Sequence, residues 1–189
     1  MRNLLLIFSL LSFSFCSQED WREQMEAKNQ KVILQVEQDH KQFDSYRLNP
    51  KDWSVSSKTK ELAIENFLKE ISKTKKAETF YVSWEEKLTV IFPNTKGSGT
   101  LLDTTPLVEY RKVLERREEF ALIELSNLLA EKTFIIESID WEKPRLYGNL
   151  KGYKPRNLKL KIAGKSVTIQ QIKMVFQTNS GYKVGVLSP

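Results

Sequence analysis

Cysteine and histidine are almost absent from this 189-residue sequence, which contains one of each. Zinc and other soft-metal sites in proteins are built mainly from these two side chains. A Ser-His-Asp triad would have to use His40, the single histidine. The GxSxG, HExxH, P-loop and CxxC motifs are also missing. These absences argue against a metalloenzyme or a serine hydrolase, and we expect no metal and no other cofactor.

Disulfide bonds are excluded for the same reason, because Cys16 is the single cysteine. Small exported domains that depend on disulfides carry an even set of cysteines. After Cys16 the chain has none, so the body of the protein must derive its stability from an apolar core.

Long apolar runs are missing except at the start of the chain. Arg2 is followed by twelve mainly apolar residues, Leu4 to Phe15, and then by a strongly charged stretch. A membrane-spanning helix needs about 20 apolar residues, so this run is too short to span. The arrangement is typical of a secretory signal peptide, which we assign to residues 1–15.

The end of this run, Phe13-Ser14-Phe15-Cys16, resembles a bacterial lipobox. The resemblance implies that Cys16 becomes the lipid-bearing first residue of a lipoprotein of the cell envelope, on the outer membrane or the periplasmic side. More than one acyl chain gives stable anchoring. The alternative is cleavage before Ser17, which would release a free exported protein.

Charge is distributed unevenly. Residues 143–189 contain ten basic residues and no acidic residue, within a chain of net charge +6. One hypothesis is adhesion, in which this segment binds anionic glycans or lipid headgroups by long-range attraction. The alternative is that these lysines form a solvated sheet face or lie against acidic helices. The candidate side chains are Lys159, Lys161, Lys165, Lys173 and Lys183. Nucleic acid is not an expected partner of an exported protein.

Helical patterns occupy the first two thirds of the chain. Apolar residues recur every three or four positions in 19–46 and 58–74, the second helix being capped by Ser56 or Ser57. Ser83 and Glu86 have the spacing of a capping box for a short helix that stops at Pro93.

The longest predicted helix runs from Pro106 to Ala130, with Thr105 as N-cap and Pro106 at the first helical position. Its predicted core face holds Leu107, Tyr110, Leu114, Arg117, Ala121, Leu125 and Leu128. Arg117 is the odd member, because a buried arginine is costly unless it is paired. It therefore needs a partner from another element or a polar cavity.

Strand patterns follow. Residues 133–141 are rich in β-branched and aromatic side chains, and 158–162 alternate between apolar residues and lysine. The alternation in 166–177 slips by one residue at Gln170-Gln171, which indicates a β-bulge in one long strand. Residues 146–153 form a short strand or a wide loop, and 182–186 form the last strand.

Helices followed by antiparallel strands predict an α+β fold with helices on one face of a curved sheet. The helix 106–130, the strand 133–141, the bulged strand 166–177 and the ending KMVFQTNSGYKVGVLS resemble the NTF2-like (SnoaL-like) cone. Cystatin-like domains share this order of elements. The chain is thus divided into a helical leader, 16–56, and an α+β domain, 57–189.

The resemblance implies a pocket at the wide end of the cone. Our main hypothesis is a non-catalytic domain that binds a small apolar ligand or an envelope protein through Arg117, Trp141, Tyr147 and Tyr153. Catalytic members of the NTF2-like superfamily use a carboxylate base and an oxyanion donor. An enzyme of that type is the alternative, with Asp140 as the base and Tyr147 as the donor.

Overall fold

A computed structural model describes residues 20–189. The predicted signal peptide and Cys16 lie outside the described residues. The helices are α1 (Asp20–Leu48), α2 (Lys60–Thr74), α3 (Trp84–Glu86), α4 (Phe92–Thr95) and α5 (Leu107–Leu129). A π-helical segment, Lys87–Ile91, joins α3 to α4, and a 3₁₀ turn, Leu101–Asp103, precedes α5. Within residues 20–189, no helix carries an apolar stretch of the length that a bilayer crossing requires.

The strands follow the last helix. They are β1 (Phe134–Trp141), β2 (Arg145–Tyr147), β3 (Leu150–Tyr153), β4 (Pro155–Ile162), β5 (Lys165–Ile169), β6 (Ile172–Thr178) and β7 (Gly181–Leu187). All named pairs are antiparallel. This order confirms the α+β class and the N-terminal helix.

The strands form two sheets and not a single one. One sheet has the order β1-β4-β5 and the other the order β2-β3-β6-β7. The predicted bulged strand 166–177 is therefore wrong, because the chain passes from one sheet to the other at Gln170-Gln171. A one-residue slip in alternation has the same appearance whether the strand bulges or changes partners.

Helix α1 packs on the domain only through its second half. Among its described side chains, Val36 and Phe43 are the buried ones. The Phe43 ring meets Phe92 edge-on, with the ring centroids 5.7 Å apart, and Asp44 accepts a 2.7 Å hydrogen bond from the Lys96 ammonium. Residues 21–31 of α1 are exposed and extend from the domain.

Two predicted helix starts are corrected. Helix α2 is capped by Thr59, whose hydroxyl accepts from the Leu62 N–H at 3.1 Å, and not by Ser56 or Ser57. At the start of α5, Pro106 is the N-cap residue and its side chain makes no capping bond. Asp39 of α1 supplies that bond, since its Oδ2 accepts from the Leu107 N–H at 2.8 Å.

The capping box of α3 is confirmed, with Ser83 and Glu86 bonding reciprocally to each other's backbone. The predicted stop at Pro93 is wrong. The helical path continues through the π segment to Thr95, with Pro93 in the first turn of α4. Phe92, the residue before Pro93, keeps helical backbone angles (φ −62°, ψ −39°), although a residue that precedes proline usually avoids them.

Residues 20–189 form two apolar core clusters, one on either side of β6. Val175 belongs to the first cluster, where α2 and α5 pack on both sheets. Its neighbour Phe176 belongs to the second cluster, which includes Phe43, Trp53 and Phe92. Adjacent residues of a strand point to opposite faces, so β6 is covered on both sides.

Candidate functional site

A cavity of about 180 Å³ lies in the second cluster, between α5, the π-helical segment and the four-stranded sheet. Four aromatic side chains line it: Phe92, Tyr110, Tyr147 and Phe176. Larger surface grooves of about 510, 370 and 310 Å³ also occur, but none of them gathers more than one aromatic side chain. Of these four sites, the aromatic cavity is the best suited to an apolar ligand.

The rings are held against one another at the cavity wall. Phe92 and Tyr110 meet edge-on at 5.6 Å between centroids, and Tyr147 and Phe176 do so at 6.1 Å. Such edge-to-face pairs are favourable arrangements of aromatic rings. Glycine makes room for them, because a Cβ added at Gly185 would collide with the Phe176 ring.

The charges at this cavity are all positive. Lys87 and Arg117 line it, and no acidic side chain does. Lys87 is buried, and its ammonium donates to Glu118 Oε2 at 2.7 Å. Arg117 is exposed and takes part in no ion pair or hydrogen bond among residues 20–189.

Burial of Arg117 on the core face of α5 is a prediction that the structure corrects. The buried charged residue of this helix is Glu118, alongside Ala121, Leu125 and Leu129. The predicted core face of α5 is therefore wrong by one residue at this turn of the helix. Arg117 nevertheless reaches the edge of the cavity, where water can still solvate its charge.

Glu118 is an incompletely bonded buried carboxylate. Its Oε1 has no hydrogen-bond partner, while Oε2 receives the single bond from Lys87. Burial lowers the pKa of Lys87, and the charge of Glu118 opposes that shift. Burial also raises the pKa of Tyr81, and Glu118 raises it further. The Lys87 ammonium lies 4.7 Å from the centroid of the Tyr81 ring, so Lys87 is fixed from both sides.

The four side chains of the main hypothesis separate into two pairs. Arg117 and Tyr147 line the cavity, and Trp141 and Tyr153 do not. The latter two rings meet each other at 6.3 Å. The Lys60 ammonium lies 5.1 Å and 5.4 Å from their centroids, so this second aromatic group is already occupied by the protein's own lysine.

The candidate acid-base pair is not brought to one site. Asp140 is exposed on β1 and accepts a 2.9 Å hydrogen bond from the Asn157 amide. Tyr147 lies in the other sheet and faces the cavity, whose lining does not include Asp140.

The five lysines of the predicted anionic surface do not share one face. Lys159 and Lys161 are exposed on the same face of β4, whereas Lys165 pairs with the inward-facing Ile162 at the end of the hairpin. Lys173 is half-buried in the other sheet. Lys183 is 2% exposed and bonded to both carboxylate oxygens of Glu86, at 2.9 and 2.8 Å.

Sequence reasoning missed Lys87 and Phe92 as site residues. Both lie in the stretch that was predicted to be an ordinary short helix. A signal was available, because Glu86 and Lys87 are a charged pair next to the apolar run Leu88 to Phe92. Packing of such a run into the core draws adjacent residues towards it, and a charged side chain that is buried in this way needs a partner.

Within residues 20–189, no group of three or more histidine, cysteine, aspartate or glutamate side chains is placed to hold a metal ion. The resemblance to the NTF2-like cone rests on the order of elements alone. No protein-family model matches the chain, and no curated protein and no solved structure matches it either.

Proposed function

We propose that this protein is a lipoprotein of the bacterial cell envelope whose α+β domain binds a small apolar ligand without transforming it. The ligand occupies the aromatic cavity between α5 and the four-stranded sheet. The observation that carries the proposal is the gathering of four aromatic side chains around a cavity of about 180 Å³.

The size of the cavity limits the ligand. An apolar cavity of about 150 Å³ stays dry and admits benzene. A volume of about 180 Å³ therefore suits one aromatic ring with a short substituent, or a branched aliphatic group of similar size. Edge-to-face contacts with Phe92 and Phe176 would favour an aromatic ring.

Toluene is a suitable neutral probe. We expect it to bind at one site per chain in an NMR titration, with saturable shifts of cavity residues. The variant Leu114→Phe places a larger side chain in the cavity from α5, and we expect it to abolish toluene binding while the melting temperature is maintained. Val113→Phe is the matched control, because Val113 is exposed on the same helix and does not line the cavity.

Unchanged toluene binding in Leu114→Phe would show that the probe binds elsewhere. Absence of binding in the native protein would contradict the proposal directly. Binding that is lost equally in both variants would point to a general disturbance of α5 and would also count against the cavity.

The proposed location in the cell envelope rests on the resemblance of residues 13–16 to a lipobox and on the preceding apolar segment, which is typical of a signal peptide. Expression of the full chain in a bacterial host, beside a Cys16→Ala variant, tests it by intact mass. We expect a diacyl- or triacyl-sized increase on a mature chain that begins at Cys16, and its loss in the variant. A mature chain beginning at Ser17 would make this a free exported protein.

A further inference from the structure

The charged side chains that line the proposed ligand site indicate which charge its ligand carries. Of the two cationic side chains that line the cavity, Lys87 is neutralised by Glu118 at 2.7 Å. Arg117 forms no ion pair or hydrogen bond with any of the described residues. The cavity lining therefore has one cation without an ion-pair partner, and its exposure places it at the edge of the cavity.

Arg117 is also suited to contact a bound group. It is exposed, so its guanidinium retains rotational freedom and its five N–H donors are available. Guanidinium groups bind carboxylates through two parallel hydrogen bonds, with a geometry that an ammonium group does not offer. The apolar walls next to it exclude water from the body of a ligand and strengthen such a contact.

A single uncompensated cation matches a single negative charge. A phosphate monoester would bring nearly two charges and would leave one of them without a partner. A carboxylate brings one. Combined with a volume that fits one ring, this arrangement selects a narrow class of small molecules.

Resting on the proposed function, we infer that the natural ligand is a small monocarboxylate with an apolar body about the size of one aromatic ring. Its ring packs among Phe92, Tyr147 and Phe176, and its carboxylate is bound by Arg117. Arylacetic acids and branched short-chain acids belong to this class.

The test compares phenylacetate with its neutral isostere phenylacetamide, both titrated against the native domain and two variants. Arg117→Gln removes the proposed anchor. Arg116→Gln is the matched control, since Arg116 is an exposed arginine on the same helix that does not line the cavity. Both substitutions are at exposed positions, so the fold is expected to tolerate them.

We expect phenylacetate to bind the native domain about tenfold more tightly than phenylacetamide, because hydrogen bonds between charged groups exceed neutral ones by about that factor. The preference should vanish in Arg117→Gln and persist in Arg116→Gln. It should also weaken with added salt, because Arg117 is exposed to counterions.

Two results would overturn the inference. One is equal binding of the acid and the amide to the native domain, and the other is a preference that survives Arg117→Gln. Toluene separates this failure from that of the proposed function. If toluene binds but the acid has no advantage, only the inference fails; if toluene, acid and amide all fail to bind, the ligand cavity itself is refuted.

Discussion

Glu86 and Lys87 are adjacent in the chain, and each belongs to a different buried lysine–glutamate pair. The two pairs differ in how many of the hydrogen bonds available to the carboxylate are formed. Glu86 is paired with Lys183 on β7. It also accepts from the Ser54 N–H at 3.1 Å, the Ser54 hydroxyl at 3.0 Å and the Ser83 N–H at 2.9 Å. Both oxygens of this carboxylate are bonded, and the region around it is closed.

The pair formed by Lys87 and Glu118 is the opposite case. It has one hydrogen bond and one buried oxygen without a partner, and its lysine lines the aromatic cavity. Buried charges stabilise a fold only when their remaining bonding capacity is used. The comparison indicates that the Glu86–Lys183 pair stabilises the packing of β7 against α3. The Lys87–Glu118 pair instead places a charged lysine beside the aromatic cavity and leaves one carboxylate oxygen without a hydrogen bond.

The largest expected effect is at the completed pair. Lys183→Met leaves the Glu86 carboxylate buried without its cation, and we expect a loss of about 3–5 kcal/mol in the free energy of unfolding. Urea denaturation measures it. The double variant Glu86→Gln/Lys183→Met should recover part of this loss, because it removes both charges. A loss below about 1 kcal/mol in the single variant would show that the Glu86–Lys183 pair contributes little to the stability of the fold.

The matching change in the incomplete pair should have a smaller effect. Lys87→Met removes one hydrogen bond from Glu118, which also lines the wide groove next to α5 and can gain water there. We expect a loss of about 2 kcal/mol by the same denaturation measurement. If Lys87→Met proves more destabilising than Lys183→Met, the contrast drawn between the two regions is incorrect.

A glycine substitution tests how firmly the cavity is shaped. In Gly185→Ala the new methyl group must displace the Phe176 ring, and the strain should reduce stability by about 1–3 kcal/mol. The displaced ring should also lower the affinity for toluene. Thermal melting and the toluene titration together decide the outcome, and an unchanged affinity would mean that the Phe176 ring does not limit the cavity.

The smallest expected effect is on the dependence of stability on pH. Burial alone would raise the pKa of Glu86, but the hydrogen bonds from Lys183 and from two backbone N–H groups outweigh it and leave the pKa below its ordinary value of 4.5. A carboxyl group with a lowered pKa stabilises the fold above its unfolded pKa, and that stabilisation is lost as the pH falls through the folded pKa.

Denaturation of the native domain between pH 6 and pH 3 should therefore show stability falling below about pH 4.5, the ordinary value for Glu86. In Glu86→Gln the curve should start lower and be shallower over the same interval. Parallel curves for the two proteins would show that another carboxyl group is responsible.

The sequence predicts which segments form helices and strands better than it predicts which face of each is buried and which strands pair. The Ser83–Glu86 capping box was predictable because it depends on a spacing of three residues and on local bonds. The alternation of Leu158, Leu160 and Ile162 likewise predicted β4, because its inward and outward residues follow a strict period of two.

The site was less predictable for two physical reasons. Successive residues of a helix are rotated by about 100° around its axis. An error of one residue in placing the buried face of α5 therefore exchanges Arg117 for Glu118. Lys183 was a candidate for the anionic surface, but it is 2% exposed and Glu86, 97 positions earlier in the chain, supplies its buried partner. Contacts between residues far apart in the chain leave no local signal in the sequence.

The most direct measurement of the central claim uses methionine methyl groups labelled with ¹³C. The chain contains three methionines: Met174 lines the cavity, Met25 is exposed on α1, and Met1 lies in the predicted signal peptide. Titration of the mature chain with toluene should shift the Met174 methyl resonance saturably and leave the Met25 resonance in place. A Met174 resonance that does not move, or that moves no more than Met25, would contradict the claim that this cavity is the ligand site.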